Sequence, residues 1–450
     1  MCNNNGHCRK FDAGTMCPSY RITRDEQHLT RGRANTLRLA LSGQLDNNGI
    51  ASDAVREAMD LCVGCKGCKR DCPTGVDMAR MKLEFTHHYK QRHGHTLRDR
   101  LIAHLPDYAP WARRMAGLMN LRNRLPWLAR LAERWTGISA RRSLPHWQRH
   151  NFVAQLDASG LRTATRDEVL VAQRPVVLFV DTFNDNFEPH IAQATLQVLQ
   201  AAGFAVHVAG RDTHDGALCC GRTYLASGMV EQARRKAGEL INALRPFAER
   251  GIPIVGLEPS CVLSLRDELL VLGLGESAQQ VAQHAVLIEE FLAAQSRSGG
   301  LDALVAQLQP LKAPLLVHGH CHTKAFGVAP ALLEALALIP GAKPKMIESS
   351  CCGMAGSFGF EAEHIEASMQ MAELSLLPAL RAAPAAGSVR PSASTPRCVL
   401  LRSRSCPPCH SNCSRSSSAS HPESAPRPRA ARVRRQTPWC GNGRAPAAVP

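Results

Sequence analysis

Hydrophobic residues follow two different periods along this chain. In residues 170–380 short apolar runs alternate with longer stretches of helical period. The apolar runs predict strands at Val176–Val180, Ala205–Ala209, Pro253–Leu257 and Pro314–His318. The helical stretches are Pro189–Ala202, Met229–Ala248 and Ala278–Ala294. Strands that alternate with helices indicate parallel α/β units.

The remaining segments show helical patterns or no pattern. Helices are predicted at Arg33–Leu41 and Ser52–Leu61, and broken amphipathic helices follow in an Arg- and Trp-rich stretch. From about Ala382 the chain has no hydrophobic period and is rich in Pro, Arg, Ser and Ala. The chain is therefore predicted to be an α+β multidomain protein. Its predicted parts are a helical domain (1–97), a basic helical connector (98–165), an α/β domain (166–381) and a disordered tail (382–450).

Composition and charge narrow the class of protein. The chain has 450 residues, room for two or three domains, and 18 cysteines without a secretory signal. This combination indicates a cytoplasmic metal protein rather than a disulfide scaffold. No apolar run approaches the length of a transmembrane helix.

The net charge of +16 is unevenly distributed. Residues 381–450 hold twelve Arg and one acidic residue (+11), and residues 98–150 hold eleven Arg and three acidic residues (+8). The remainder has a charge of −3, since 16 − 11 − 8 = −3. A nucleic-acid-binding protein would be basic along its folded domains, so no nucleic-acid partner is expected.

One cysteine run has the spacing of an iron–sulfur loop. It reads C-x2-C-x2-C-x3-C-P and consists of Cys62, Cys65, Cys68, Cys72 and Pro73. Such a run wraps a cubane cluster with thiolates, which are soft ligands. Gly64 and Gly67 are expected to supply positive φ or a close backbone approach, and Pro73 is expected to begin a helix. A zinc knuckle is the alternative, although zinc ligands are rarely so tightly spaced.

A partner run lies at the start of the chain. Cys2 and Cys8 are six residues apart, Cys17 is followed by proline, and Asn5 occupies the middle position. In two-cluster ferredoxins the fourth cysteine of each run binds the other cluster. The predicted ligands of a complete 4Fe-4S cluster are Cys17, Cys62, Cys65 and Cys68. The predicted ligands of the second site are Cys2, Cys8 and Cys72, which leaves a three-iron cluster, a four-iron cluster with a foreign ligand, or an incomplete one.

A second cysteine system lies in the α/β region and is internally repeated. Cys219-Cys220-Gly221 has a counterpart in Cys351-Cys352-Gly353. Cys261 follows a predicted strand at a helix start, where the thiolate is favoured. Cys321 also follows a predicted strand, between His318, His320 and His322, which are ligands, donors to ligands or turn residues. We expect Cys219, Cys220 and Cys261 to converge, and likewise Cys321, Cys351 and Cys352, as two pseudo-twofold-related repeats; the alternative is buried structural cysteines.

These residues resemble a known family. The paired C-C-G elements resemble the cysteine-rich repeats of heterodisulfide reductase subunits and of the glycolate oxidase iron–sulfur subunit. The stretches M-C-P-S-Y-R-I-T-R-D-E-Q-H-L-T-R-G-R-A-N-T-L-R, L-C-C-G-R-T-Y-L-A-S-G, H-G-H-C-H-T-K-A and S-S-C-C-G-M-A-G-S-F-G-F-E are similar to the C-terminal half of FAD-linked oxidases of the D-2-hydroxyglutarate dehydrogenase type. The resemblance covers roughly residues 1–381. It implies that clusters carry electrons singly from a flavin, which oxidises a 2-hydroxy acid, to an acceptor.

The chain departs from that family in three ways. Asp181 stands where such repeats have a leading cysteine, the closing cysteine of the second repeat is not recognisable, and nothing resembles an FAD-binding domain. FAD is therefore expected on a separate domain or subunit, and the chain alone is not expected to oxidise a hydroxy acid. The predicted function is an electron-transfer module between that flavin partner and a downstream acceptor. The alternatives are a thiol–disulfide reductase with a cluster at the C-C-G cysteines and a zinc-stabilised interaction module.

Two segments leave further expectations. The Arg/Trp stretch at 98–150 packs over neighbouring domains, docks the flavin-bearing domain, or contacts the membrane peripherally at its inner face. The tail beyond Ala382 has the composition of an out-of-frame reading of a GC-rich gene, and Met1 directly precedes Cys2 as if the chain began inside a longer polypeptide. In that interpretation Cys398 is not a ligand, and neither is the element formed by Cys406, Cys409, His410 and Cys413.

Overall fold

The computed structural model describes residues 2–11, 14, 16–45, 48–211, 218–311 and 315–383. The expectations for the tail from residue 384 onward, including Cys398 and the Cys406–Cys413 element, lie outside these residues. Within the described ranges, no helix combines the length and apolar character needed to cross a membrane.

The N-terminal part is helical and packs around its cysteines. Its α-helices are α1 (Pro18–Thr23), α2 (Thr30–Leu41), α3 (Asp53–Asp60), α4 (Gly67–Asp71) and α5 (Met78–His93). Short 3₁₀ turns cover His7–Arg9, Glu26–His28 and Gly49–Ala51. Ser52 and Asp77 accept hydrogen bonds from backbone N–H groups at the starts of α3 and α5, which defines where these helices begin. The predicted helices at Arg33–Leu41 and Ser52–Leu61 are confirmed by α2 and α3.

The connector is a series of short helices, as its broken pattern predicted. They are α6 (Leu97–Ala103), α7 (Leu105–Arg114), α8 (Ala116–Met119), α9 (Leu121–Arg124), α10 (Pro126–Thr136) and α11 (Phe152–Ser159). Thr96 and Asp99 form a reciprocal capping box at the start of α6. Gly137, with a φ of +68°, ends α10.

The α/β part contains a four-stranded parallel sheet. Its strands are β1 (Pro175–Phe179), β2 (Ala205–Val208), β3 (Ile254–Gly256) and β4 (Ala285–Leu287), in the order β2-β1-β3-β4. The accompanying helices are α12 (Arg166–Val171), α13 (Thr182–Asn186), α14 (Pro189–Ala201), α15 (Arg222–Ala226), α16 (Val230–Ala248), α17 (Pro259–Leu265), α18 (Gly275–His284) and α19 (Ile288–Arg297), and a 3₁₀ turn covers Glu268–Val271. Alternate β1 residues enter separate hydrophobic clusters, Val177 one and Val176 the other, so both faces of the sheet are buried.

A smaller parallel pair of strands follows. β5 (Leu315–Val317) pairs with β6 (Pro344–Met346). Its helices are α20 (Asp302–Val305), α21 (Cys321–Ala325), α22 (Ala329–Ala337), α23 (Ile365–Glu373) and α24 (Leu376–Ala382), with a 3₁₀ turn at Phe358–Phe360. The prediction of parallel α/β units is therefore confirmed for both segments.

One predicted helix is wrong. The stretch Ala278–Ala294 is not continuous, because α18 ends at His284 and the next three residues form strand β4. These residues pair in parallel with Ile254–Gly256, and Leu287 is fully buried. Sheet pairing with a distant strand thus overrides a local helical period. The other predicted strands and helices of this region are present, and their described ends differ from the predicted ones by at most one residue.

Candidate iron–sulfur sites

The predicted ligands of the first cluster lie around one buried cavity. Among the residues lining it are Cys17, Cys62, Cys65 and Cys68. Gly64 has a φ of +60°, as expected, but the second left-handed residue of the loop is Lys66 rather than Gly67. The expectation for Pro73 is wrong, because it lies in a turn in which the Gly75 N–H donates to the Cys72 carbonyl at 2.8 Å. Pro18, by contrast, does begin a helix.

Backbone and hydroxyl groups point at the sulfurs of this cavity. The Thr30 N–H donates to Cys17 Sγ at 3.2 Å, and the Met78 N–H donates to Cys68 Sγ at 3.3 Å. Burial, opposed by the Met78 N–H, raises the pKa of Cys68 to about 12. Burial, together with the charge that Cys351 would carry, raises the pKa of Cys65. If these neighbouring sulfurs ionised they would repel one another, and the iron of a cluster would supply the positive charge that offsets this repulsion.

The second predicted site is less regular. Cys8 and Cys72 are buried in the same hydrophobic cluster as Cys17, and half-buried Cys2 packs against it. Burial disfavours the Cys72 thiolate, but hydrogen bonds from Thr74 and neighbouring backbone groups outweigh it and lower its pKa. Asn5 is exposed; its side chain donates to Asn3 Oδ1 at 2.7 Å and accepts from the His7 N–H at 2.9 Å. The Asn5 amide therefore bonds within its own loop.

The cysteines of the first C-C-G repeat converge. The Sγ atoms of Cys220 and Cys261 are 3.0 Å apart, and Cys219 hydrogen-bonds Cys220. A hydrogen bond from Cys220 favours the Cys261 thiolate, but burial and the nearby Asp181 carboxylate outweigh it and raise its pKa to about 12. Asp181 follows β1, and its side chain accepts the N–H groups of Phe183 and Asn184.

The cysteines of the second repeat converge as well. Cys321, Cys351 and Cys352 line one cavity together with His318 and His320. A hydrogen bond to Cys351, together with burial, raises the pKa of Cys352 to about 12, although His318 opposes this. Cys321 lies at the start of α21, the helix after β5, and Asp181 lies at the start of α13, the helix after β1.

Both C-C-G elements require glycine for the same reason. Gly221 has a φ of +76°, and a Cβ there would lie 2.6 Å from the Ala233 carbonyl oxygen of α16. Gly353 has a φ of +78°, and its Cβ would lie 2.6 Å from the Ser368 carbonyl oxygen of α23. Each pair of cysteines is thus held by a left-handed turn pressed against a helix backbone.

A buried ionic network connects the first-cluster loop to the α/β part. Lys66 is 1% exposed, and its Nζ lies 2.8 Å from Asp267 Oδ2 and 3.1 Å from Glu268 Oε1. Arg222, the residue after Cys219-Cys220-Gly221, pairs with the same Glu268 carboxylate. Burial opposes ionisation of Glu268, but Arg222 and Lys66 outweigh it and hold the pKa of this carboxyl far below its usual range.

The second repeat touches the same loop. His322 Nε2 lies 3.2 Å from the Gly64 carbonyl oxygen, between Cys62 and Cys65. Burial, together with nearby Arg222, lowers the pKa of His322, so the imidazole is neutral and donates this hydrogen bond. His320 Nδ1 accepts the His322 N–H at 3.1 Å, and His318 Nδ1 bonds Ser349 Oγ at 2.8 Å. His318 and His320 line the cavity of Cys321, Cys351 and Cys352, so ligand, donor to a ligand and turn residue all stay open as their roles.

Sequence reasoning missed the charged residues of this network. Lys66 lies inside the cysteine run and Arg222 directly follows a C-C-G element. Their positions next to the cysteine motifs are the feature of the sequence that could have identified them. Arg33 was also missed; it is 2% exposed, donates to the Ala58 carbonyl and favours the Cys17 thiolate electrostatically. Its partners come from other helices, so no local pattern marks it.

Comparisons with known proteins agree with this geometry. Residues 1–76 match the family described as 4Fe-4S dicluster domain, and residues 179–266 match the family described as cysteine-rich domain (CCG). The second match covers the first C-C-G repeat only. No solved structure matches the chain.

Three curated relatives illustrate the similarity. D-2-hydroxyglutarate dehydrogenase of Escherichia coli K12 is 28% identical over 424 residues, which cover 85% of this chain and 40% of the relative. One subunit of the anaerobic glycerol-3-phosphate dehydrogenase from the same strain is 25% identical over 270 residues, covering 60% of this chain and 64% of the relative. Lactate utilization protein A of Bacillus velezensis is 26% identical over 201 residues, covering 43% of this chain and 78% of the relative.

The domains and the site define the class: this is an iron–sulfur protein with a 4Fe-4S dicluster domain followed by a CCG domain. Within that class, the chain is similar to the iron–sulfur half of oxidases of the D-2-hydroxyglutarate dehydrogenase type. It spans 40% of the length of the Escherichia coli enzyme of that name.

Proposed function

We propose that this chain is the iron–sulfur electron-transfer module of a flavin-linked 2-hydroxy-acid dehydrogenase of the D-2-hydroxyglutarate, D-lactate or glycolate type. Electrons pass from FAD on a partner domain or subunit, through the clusters, to an acceptor. The observation that carries the proposal is the proximity of two cysteine systems. His322, the residue after Cys321 of the second repeat, hydrogen-bonds at 3.2 Å the Gly64 carbonyl oxygen, which lies between Cys62 and Cys65 of the first loop.

The residues of this chain have separate parts in the proposal. Cys17, Cys62, Cys65 and Cys68 hold a 4Fe-4S cluster, and Cys2, Cys8 and Cys72 hold the second, three-thiolate site. A cluster accepts and releases one electron at a time when bound. Lys66 and Arg222 share the Glu268 carboxylate, and these ion pairs keep the first loop in a fixed position against the α/β part. Hydrogen bonds to the sulfurs of Cys17 and Cys68 stabilise the reduced, more negative state.

Anaerobic purification followed by iron, sulfide and zinc analysis tests this proposal. We expect iron and acid-labile sulfide in similar amounts, and reduction by dithionite that a one-electron acceptor reverses. Zinc without sulfide would refute the electron-transfer function and support the zinc-stabilised module.

One contact supports a second candidate, a thiol–disulfide reductase. Cys219, Cys220 and Cys261 lie together, with 3.0 Å between the Sγ atoms of Cys220 and Cys261, which a cluster-assisted disulfide cleavage would use. Reoxidation of the reduced protein by a small disulfide, in the absence of any flavoprotein, favours this candidate. Reoxidation only by one-electron acceptors favours the electron-transfer module.

A further inference from the structure

The connector exposes large apolar side chains to solvent. Trp111, Trp127 and Trp135 are 67%, 62% and 75% exposed, whereas Trp147 is 9% exposed. No other Trp among the described residues is exposed. We call the outward side of α7, α8 and α10, with its exposed Trp and Arg side chains, the Trp/Arg surface. Packing over neighbouring domains, one of the roles expected for this stretch, does not explain why these three Trp side chains are exposed.

The helices of this surface fully bury small residues and expose large ones, although Leu105 and Tyr108 of α7 also pack inward. In α7 and α8 the buried residues are the small Ala109, Ala112 and Ala116, while Trp111 and Met115 face outward. In α10 the buried residue is Ala129, while Trp127, Leu131 and Trp135, at the spacing i, i+4, i+8, form an exposed row. Small side chains therefore pack against the protein and the indoles point away from it.

The exposed charges of this surface are arginines, apart from Asp107 at the start of α7, which contacts His104 and Lys236. Between residues 108 and 136 every exposed charged side chain is an arginine: Arg114 on α7, Arg130 and Arg134 on α10, and Arg124 on the intervening α9. No carboxylate of the described residues pairs with any of the four. Arg114 lies 5.1 Å from the centre of the Trp111 ring, a cation–π contact. The acidic residue of this segment, Glu133, accepts a hydrogen bond from the Ala140 N–H and does not neutralise the surface.

We infer that the Trp/Arg surface binds the headgroup layer of an anionic bilayer. Guanidinium groups bind lipid phosphates in a fork, and indoles lie at the boundary between headgroups and acyl chains. A protein partner would have to present carboxylates and indole pockets at matching positions, whereas a headgroup layer supplies anionic phosphate everywhere. This inference goes beyond the proposed electron-transfer function, and it places the module at a surface where a lipid-soluble electron acceptor would dissolve.

Co-sedimentation of the full, iron-loaded chain with vesicles tests the inference. The vesicles contain either phosphatidylcholine alone or phosphatidylcholine mixed with phosphatidylglycerol. We expect binding to the mixed vesicles at low salt, loss at high salt, and a blue shift of the Trp emission on binding. The double variant Arg130→Gln/Arg134→Gln should lower the partition coefficient about twenty-five-fold, at about a factor of five per arginine.

Matched variants distinguish binding through the Trp/Arg surface from nonspecific binding by exposed apolar or basic residues elsewhere. Trp127→Ser/Trp135→Ser should weaken binding. The controls Leu41→Ser/Val271→Ser and Arg234→Gln/Arg235→Gln change residues that are equally exposed elsewhere, and they should bind like the original chain. Iron and sulfide contents of every variant are measured in parallel, so a failure of the electron-transfer function is seen independently.

Three results would overturn the inference. One is the absence of sedimentation with anionic vesicles at low salt, and another is equal binding to both kinds of vesicle. The third is protection of the exposed Trp residues from acrylamide quenching by a co-purified flavin-bearing partner while vesicles leave the protein in solution. That result would make this surface a protein interface.

Discussion

At the scale of residues, Lys66 connects the cluster loop to the rest of the molecule. Its ammonium group is buried with three carboxylates, those of Asp77, Asp267 and Glu268. Burial disfavours the charged ammonium group, but the surrounding carboxylates outweigh burial and raise its pKa. Removing the ammonium group would leave the Asp267 and Glu268 charges in a buried site with fewer partners.

Replacing Lys66 with Met is therefore expected to destabilise the protein by about 3–5 kcal/mol. When the variant is heated under anaerobic conditions, we expect it to lose its cluster absorbance at a lower temperature than the original chain. Lys69→Met is the matched control, because Lys69 contacts the same Asp267 at 2.8 Å but is 38% exposed and should cost about 0–1 kcal/mol. Equal losses for the two variants would contradict the special contribution of the buried Lys66.

At this scale the sequence predicts sets of cysteine ligands but not the partners of buried charges. The predicted ligand sets follow from spacings within runs, because a cluster requires its thiolates at short and regular intervals. The partner of Lys66 lies 201 residues away in sequence, and that distance carries no periodic signal. The crossed assignment of Cys17 was accessible only because the C-P ending repeats.

At the scale of elements, the C-C-G turn is a left-handed glycine pressed against a helix. The same geometry recurs at Gly221 and Gly353, although the first repeat belongs to a four-stranded sheet and the second to a strand pair. The sequence predicted the repeated order of strand, turn residue and C-C-G pair. It did not predict β4, because an edge strand of three residues inside a helical period has no local signature.

Gly221→Ala should lower the free energy of unfolding by more than the strain of a left-handed backbone alone. The strain of an L-residue at this φ costs about 1–2 kcal/mol, and displacement of α16 by the new Cβ adds about 1–3 kcal/mol. Gly273→Ala is the control, because Gly273 has a similar φ of +73° but no atom within 4 Å of the added Cβ. The measurement is the midpoint of thermal unfolding for both variants. Indistinguishable midpoints would show that the close approach to α16 does not matter.

At the scale of the whole molecule, His364 joins the N-terminal part to the second repeat. Its Nε2 lies 3.1 Å from Asp60 Oδ2, and its Nδ1 lies 2.6 Å from Glu361 Oε2. Burial lowers the pKa of His364, but the two carboxylates outweigh burial and raise it to about 9. Burial raises the pKa of Glu361, but His364 and Arg98 outweigh burial and hold it at about 2.

These pKa values predict how stability depends on pH. Because the folded pKa of His364 is above that of free histidine, its contribution is fully present below about pH 6.5 and is lost as pH rises through 9. The Glu361 contribution is present above about pH 4.5 and is lost as pH falls towards 2. His364→Asn should lower the unfolding midpoint at pH 6 and flatten its decline between pH 7 and 9. His88→Asn, at an exposed pair with Glu84, should leave the profile unchanged; an unchanged profile for His364→Asn would contradict this prediction.

The measurement that tests the cluster assignment most directly is the electron paramagnetic resonance spectrum of the dithionite-reduced chain, with its iron and sulfide contents. We predict that Cys17→Ser and Cys65→Ser remove the same 4Fe-4S signal, because the two residues belong to one ligand set. Cys72→Ser should affect a different signal, and Val63→Ala, which alters the loop without removing a ligand, should preserve both. If Cys65→Ser leaves the iron content and the spectrum unchanged, the assignment of the first cluster is wrong. It is also wrong if the signal that Cys65→Ser removes is removed by Cys72→Ser and not by Cys17→Ser.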